Sequence, residues 1–148
     1  MSDFYVRFIP ENINIFLDAN KIELISKIDC GGNTIRFTHN EQVYFADAGK
    51  NFVSVVCPSC RVSLMEWWGG IMDSAYSDME GFINLDVTTP CCNIKTSLHN
   101  LEYSLSQGFY KTIIEIGPVL KSQVMPEEIA NNLLDITGEI WRIIRAQY

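Results

Sequence analysis

Two pairs of cysteines are the residues of this chain whose types and spacing best fit a chemical role. Cys57 and Cys60 form the first pair and are separated by two residues. Cys91 and Cys92 form the second pair and are adjacent in the sequence. A Cys-x-x-Cys turn can bring two sulfur atoms to one ion, and zinc accepts four thiolates in tetrahedral geometry. The pattern therefore predicts a metal site built from all four cysteines, with structural zinc as the ion.

The second pair is less regular than the first. When TPCC is aligned with CPSC, Thr89 stands at the first ligand position and Cys92 at the second. Cys92 is then the more secure ligand and Cys91 the next choice, with His99 or Asp86 as substitutes for Cys91. A site with four thiolates is closed and structural, whereas a catalytic zinc keeps one position open for water.

The cysteines could also serve without a metal, in either of two ways. Free cysteine is often buried as a small apolar residue, and a Cys-x-x-Cys pair at the start of a helix can be a redox site. Because a second cysteine pair is present, metal binding is a simpler explanation of the pattern than redox chemistry. Five cysteines are also an odd number, which suits ligation better than a disulfide framework and leaves Cys30 without a role.

Few residues besides the cysteines fit a catalytic role. The chain has only two histidines, and it lacks GxSxG, P-loop and GxGxxG patterns. The enzymatic alternative is a zinc-dependent hydrolase with an open site, in which Cys57, Cys60 and Cys92 hold the metal and Glu66 or Asp86 activates a water.

The segment between the cysteine pairs, residues 61–90, is acidic. Its five acids stand against Arg61 alone and leave a local charge of −4. Trp67 falls at the edge of a helical apolar stripe, with Asp73 and Asp78 nearby, and exposed tryptophan among charged residues is typical of an interface. The alternative is that both adjacent tryptophans pack around the metal site.

Composition limits the class of protein. The 148 residues are 47% hydrophobic and 20% charged, and the net charge is −7. Because a chain of this length and composition can form one hydrophobic core, we expect a single domain over residues 1–148. The negative charge disfavours a nucleic-acid partner, for which Arg61 and Lys95 beside the cysteines give thin support. No secretory signal or membrane span is visible, which predicts a cytoplasmic protein without membrane contact.

Hydrophobic periodicity predicts strands and helices on both sides of the cysteine segment. The predicted strands are residues 4–9, 34–39, 42–47, 82–89, 99–105 and 108–118. Three helices are also predicted. They are residues 21–28 with Asn20 as the cap, a helix in the insert that contains Trp68 and Met79, and a helix from Pro126 to Gly138. Residues 40–41 suit a hairpin turn. Residues 139–148 fit a helix or a strand, and their β-branched and aromatic content favours the strand.

The two ends of the chain have similar patterns. FYVRFIP opens a strand, helix, strand unit near the N-terminus, and FYKTIIEIGP opens a similar unit near the C-terminus. Two βαβ halves predict an α+β fold of the ferredoxin-like type, with an antiparallel sheet and helices on one face. Residues 53–100 would then be a zinc-ribbon-like insertion within the single domain.

The chain resembles a family of small uncharacterised bacterial proteins in the stretches VCPSC, EWWGGIMDSAY and VTTPCCNIKTSLHNL, followed by GFYKTIIEI and an aromatic tail. The likeness covers most of residues 50–148. Arg61 and Asn93 stand where such proteins carry glycine after the cysteine. The resemblance implies a bacterial origin and a zinc ribbon but no activity, and a toxin-neutralising, immunity-like role is an analogy with other small accessory proteins.

Together these features predict a non-enzymatic, zinc-stabilised interaction protein. Its acidic helix, with Trp67, Asp73 and Asp78, would bind a basic protein partner, because the local charge is negative and catalytic residues are scarce. The zinc-dependent hydrolase is the alternative.

Overall fold

Helices and strands are mixed in this α+β protein. A computed structural model describes residues 3–119 and 124–148, with three α-helices and a six-stranded sheet. In chain order the elements are β1 (Phe4–Pro10), α1 (Ala19–Ser26), β2 (Ile35–Ala46), β3 (Val55–Val56), α2 (Met65–Ala75), β4 (Tyr76–Ser77), β5 (Gly81–Phe82), β6 (Asp86–Thr88), β7 (Lys95–Ser97), a 3-10 turn (Leu98–Asn100), β8 (Glu102–Tyr103), β9 (Gly108–Ile116), α3 (Pro126–Thr137) and β10 (Trp141–Gln147). Among the described residues, no helix combines the length and apolar character needed to cross a membrane.

One six-stranded sheet forms the centre of the fold. Its strand order is β10-β1-β9-β2-β5-β4. The pairs β10 with β1, β1 with β9, and β9 with β2 are all antiparallel. β5 joins β2 in parallel, where Val43 lies opposite Gly81, and β4 pairs antiparallel with β5. The four long strands therefore come from both ends of the chain and lie side by side.

The helices α1 and α3 pack on the same face of this sheet. Ile25 of α1 and Leu133 of α3 join Phe8, Ile114 and Trp141 of the strands in one buried cluster. Because successive side chains of a strand point to opposite faces, other strand residues form a smaller apolar cluster on the second face. The sheet and two helices thus have a core of their own.

Several predictions at the two ends of the chain are confirmed. β1 and β9 lie where alternation placed them, and residues 141–147 form a strand, as their composition favoured. Pro126 opens α3 in its first turn. Gly138 ends this helix with φ 73°, and its N–H donates to the carbonyl of Leu134 at 2.8 Å. A left-handed residue after the last turn is a position that glycine adopts without strain.

The predicted hairpin at residues 40–41 is wrong. β2 is one continuous strand, because it pairs with β9 on both sides of this position. The register shifts between His39 and Tyr44. The polar residues therefore form an irregularity within a strand, because pairing with β9 outweighs a local preference for a turn.

Two predicted helix boundaries are also corrected. Asp18 and not Asn20 caps α1, since its side chain accepts a hydrogen bond from the N–H of Lys21 at 2.9 Å. α2 ends at Ala75 and does not reach Met79, because the chain turns back there to pair β4 with β5. Met79 is 84% exposed in the resulting turn.

Short elements replace the longer strands predicted in the insert. Residues 82–89 divide between β5 and β6, and residues 99–105 divide between the 3-10 turn and β8. These pieces surround a second buried cluster that contains Val55, Leu98 and Phe109. Since Phe109 belongs to the long strand β9, the second cluster packs directly on the central sheet.

Arg142 connects the sheet to the segment before β9. Its guanidinium donates to the carbonyls of His99 and Gln107 and pairs with the carboxylate of Glu11 at 2.7 Å. The chain passes close by at Gly108, where a Cβ atom would lie 2.5 Å from Nη1 of Arg142 and 2.8 Å from the ring of His99. This close approach requires glycine.

Replacing Gly108 by alanine tests this junction. We expect Gly108→Ala to lower the free energy of unfolding by about 1–3 kcal/mol, because the buried imidazole cannot move away without disturbing its neighbours. Gly70→Ala is the matched control: a Cβ there meets nothing within 4 Å, and alanine favours the helix by about 1 kcal/mol. Urea unfolding at a fixed metal concentration measures both, and equal stability of the two variants would contradict the close-packed junction.

Candidate metal centre

Two turns far apart in the sequence bring four cysteines together. Cys57 directly follows β3, with Cys60 in the same turn, and Cys91 and Cys92 lie between β6 and β7. Among the described residues their four Sγ atoms form one group, all within 4.8 Å of one another, which His99 and Asp86 do not join. Cys57 is buried and the other three are exposed. The group could hold a metal ion close to the protein surface.

The first turn is closed by backbone hydrogen bonds. The N–H of Arg61 donates to the carbonyl of Cys57 at 3.0 Å, and the N–H of Cys57 donates to the carbonyl of Val62 at 2.9 Å. Inside the turn, the backbone amides of Cys60 and Ser59 donate to the sulfur of Cys57 and lower the pKa of its thiol to about 6. Because metals bind thiolates, these amides favour the ligating form of Cys57.

Cys60 has a different electrostatic environment. The backbone amide of Val62 lowers the pKa of the Cys60 thiol, but the neighbouring thiols of Cys91, Cys57 and Cys92 together with desolvation raise this pKa to about 11. Thiols packed this closely cannot all be charged unless a cation lies between them. A cation bound between the four thiols would therefore favour their ionised, thiolate form.

The second turn repeats the backbone pattern of the first. The N–H of Asn93 donates to the carbonyl of Thr89 at 3.0 Å, and the N–H of Thr89 donates to the carbonyl of Ile94 at 3.0 Å. Thr89 therefore occupies the place that Cys57 has in the first turn, and Cys92 takes the second ligand position. The alignment of TPCC with CPSC agrees with this geometry.

The hydroxyl of Thr89 supports the site without belonging to the group of ligands. Thr89 is fully buried. Its Oγ1 accepts a hydrogen bond from the N–H of Ile94 at 3.2 Å and lies 3.6 Å from Sγ of Cys92. A buried hydroxyl with these partners positions the second turn, while the neighbouring Cys91 supplies the extra sulfur.

Left-handed residues follow the second ligand of each turn. Arg61 has φ 67° and Asn93 has φ 56°. Asparagine tolerates this conformation, whereas arginine adopts it rarely. The side chain of Arg61 forms an ion pair with Glu102. Both turns therefore keep the backbone shape that glycine would give, although neither has glycine.

The spacing of the sulfur atoms can be compared with that required by a tetrahedral metal. Sγ of Cys92 lies 3.7 Å from Sγ of Cys57 and 3.8 Å from Sγ of Cys91. Zinc–sulfur bonds of about 2.3 Å place the corners of a tetrahedron about 3.8 Å apart. These two distances thus fit edges of a tetrathiolate site, including the edge to Cys91, and the other sulfur pairs lie within 4.8 Å.

The sequence allowed His99 as a substitute metal ligand for Cys91, but in the structure His99 has a different role. It is 4% exposed, and its Nδ1 accepts the N–H of Phe109 at 2.9 Å. Nε2 has no hydrogen-bond partner among the described residues, and the nearest carboxylate oxygen, on Glu11, is 3.8 Å away. His99 joins the second core cluster to β9, a connection that no sequence pattern indicated.

The two adjacent tryptophans of α2 have different surroundings. The Trp68 ring stacks on Phe52 at 5.2 Å, lies 5.7 Å from the ring of Phe45, and donates from Nε1 to the hydroxyl of Tyr103 at 3.3 Å. Trp67 is half-buried and lines two surface cavities of about 470 and 370 Å³. Trp68 therefore anchors the helix, and Trp67 also packs against the second core cluster but stays partly exposed beside the two cavities.

The two predicted acidic binding residues are both exposed but do not share the helix. Asp73 lies in α2, whereas Asp78 lies in the turn between β4 and β5, because α2 ends at Ala75. Glu66 lies in the first turn of α2. The acidic character thus belongs to the surface around α2 rather than to one helix face.

Comparison with protein-family models, with curated proteins and with solved structures finds no match. The function is therefore inferred from the geometry of the molecule.

The buried histidine should make stability depend on pH. Burial and the positive charge of Arg142 lower the pKa of His99 to about 4, although Glu11 opposes this shift. Between pH 6.5 and about 4 the unfolded chain binds a proton that the folded chain does not, so stability falls as the pH falls through this window. The difference between about 6.5 and about 4 corresponds to a loss of up to about 3 kcal/mol.

Urea unfolding of wild type and His99→Gln from pH 7 to pH 4 measures this effect. The cysteines titrate equally in both proteins. The difference between the two slopes of unfolding free energy against pH therefore reports the contribution of His99. Parallel slopes would show that His99 binds its proton over the same pH range in the folded and the unfolded chain, and would contradict the lowered pKa.

Proposed function

We propose that the four cysteines hold a structural zinc ion in a closed tetrathiolate site. The observation that carries this proposal is the convergence of four Sγ atoms within 4.8 Å. Soft thiolate ligands in tetrahedral geometry suit zinc or iron, and zinc fits a site that needs no electron transfer. All five cysteines, each within the described residues, are unbridged, which is in keeping with a reducing compartment such as the cytoplasm.

The closed set favours a structural over a catalytic metal. A zinc-dependent hydrolase would need Cys91 to stay away from the ion and leave a position for water. The Sγ atoms of Cys91 and Cys92 are instead 3.8 Å apart. This distance matches one edge of a tetrahedral zinc–thiolate site. Four thiolates also carry more negative charge than the zinc ion carries positive charge, which makes the ion a poor Lewis acid for activating water.

We further propose that the metal holds an insertion, residues 53–100, on a ferredoxin-like unit within one domain. The support is the order of the four long strands, which is 4-1-3-2 when they are counted along the chain, with every neighbouring pair antiparallel. Two helices on one face complete such a βαββαβ unit. The short insert elements need an additional constraint, because strands of two or three residues have little stability of their own.

The role that this arrangement supports best is non-enzymatic binding of another protein. Trp67 is half-buried beside two largely apolar cavities, one of which is also lined by Asp86 and the other by Glu66. A basic protein partner matches this charge. The bacterial origin and the immunity-like role remain proposals that rest on the resemblance.

Metal analysis tests the closed site. We expect one zinc per chain and four sulfur neighbours in X-ray absorption, with affinity reduced on the order of 100-fold or more in Cys91→Ser and Cys92→Ser, because each removes a ligand. Cys30→Ser is the control: this buried thiol lies outside the group, 2.7 Å from the carbonyl of Asn33. Three sulfurs and one oxygen in the wild type would instead support the hydrolase.

The neighbouring tryptophans test the interaction role. Trp68→Ala should lower the free energy of unfolding by about 3 kcal/mol, since it removes a ring from the aromatic cluster. Trp67→Ala should cost about 1 kcal/mol and abolish partner binding, because its ring faces the cavities. Urea unfolding and affinity purification from the native host measure the two effects. Retained binding by a folded Trp67→Ala chain would move the interface elsewhere.

A further inference from the structure

An apolar groove runs along both sides of Trp67. On one side a cavity of about 470 Å³ lies between α2 and the segment before β6, and on the other a cavity of about 370 Å³ reaches the metal turns. We call this surface the Trp67 groove, defined by Trp67, Ile71, Ile83, Val87, Val62 and Pro90.

The chain itself leaves the groove uncovered. The apolar side chains of α2 pack against the second core cluster, but none of the eleven residues of this helix, all of them described, is fully buried. Ile83 is 68% exposed and Val62 is 51% exposed at the sides of the groove. Contiguous exposed apolar surface of this kind marks a binding site for another molecule.

The metal turns form part of the groove walls. Val62 directly follows the first cysteine turn, and Pro90 and Cys91 belong to the second. The two turns come from different parts of the chain and meet at the four cysteines, whose Sγ atoms lie within 4.8 Å of one another. One end of the groove is therefore built by the cysteine turns.

The charges around the groove indicate what it binds. Glu66 and Asp86 line its two cavities and Asp73 is exposed on α2. None of these three carboxylates forms a salt bridge within the described residues. The cation of the first turn, Arg61, is already paired with Glu102. Lys95 is exposed on β7 opposite Thr88, which lines the groove, and offsets one of these charges. Three carboxylates against one lysine leave the field at the groove negative, and an apolar occupant that also carries positive charge gains most from it.

We propose that the Trp67 groove binds a basic segment of a partner protein, in which one or two apolar side chains enter the cavities and flanking Lys or Arg side chains meet the carboxylates. This inference rests on the proposed interaction role and names its partner class. The negative field would repel nucleic acid and anionic lipid. It would also repel a second copy of this chain, whose net charge is −7.

A pair of designed peptides tests this chemistry. One is an amphipathic peptide of leucine and lysine, and the other has the same leucines with glutamate in place of lysine. Titration into the zinc-loaded chain, followed by calorimetry and by backbone NMR shifts, should show binding of the lysine peptide at the groove and at least tenfold weaker binding of the glutamate peptide.

Two isoleucines of nearly equal exposure give a matched pair of variants. Ile83, 68% exposed, lies in the groove, and Ile140, 66% exposed, lies just before β10. Ile83→Lys should weaken the lysine peptide at least tenfold, because it removes apolar surface and adds a positive charge. Ile140→Lys makes the same change of charge elsewhere and should change affinity by less than twofold.

Several outcomes would overturn the inference. These are equal binding of both peptides, equal loss in both variants, shifts that map outside the groove, or a wild-type dimer that Ile83→Lys dissociates. A zinc-loaded chain with four sulfur ligands that recruits its partner through another surface would refute the groove and leave the proposed function intact. A chain that retains no zinc would instead refute the proposed function.

Discussion

The convergence of four thiols is the constraint on which the middle of this protein depends. The strands between residues 55 and 103 contain only two or three residues each, and strands that short are marginal unless something else fixes them. Binding of a structural metal supplies about 10–16 kcal/mol of apparent free energy in small zinc modules, enough to order such a segment. α2 and the β6–β7 hairpin pack on the second buried cluster, and the cysteine turns join the two sides of this segment close to the cavities beside Trp67.

The remainder of the chain is built differently, because it has a core that needs no metal. Long antiparallel strands from both ends of the chain bury Phe8 and Ile114 under α1 and α3. The two regions meet where Arg142 donates to the carbonyl of His99 and where Phe109 enters the second cluster. Changes in the cysteine segment can therefore reach the sheet through these contacts and through β5, which pairs with β2.

Sequence reasoning succeeded where local chemistry and tertiary structure agree. β9 is rich in β-branched residues, α3 begins at Pro126 and is ended by Gly138, and the cysteine spacing already indicated a common site. It failed where distant pairing decides. β2 continues through residues 40–41 because β9 lies beside it, and the burial of His99 depends on residues far away in the chain. Short strands were missed because two residues carry too little periodicity to detect.

The closeness of the thiols has a consequence for the life of the protein in a cell. Sulfur atoms 3.7 Å apart, as in Cys57 and Cys92, need to move by less than 2 Å to reach the length of a disulfide, about 2.05 Å. A bound metal occupies the electrons that an oxidant would otherwise take. In a cell, a chain with no cation between these sulfurs could therefore lose two electrons to an oxidant and form a disulfide that joins its two turns, so the thiols that could hold a metal ion are also open to oxidation.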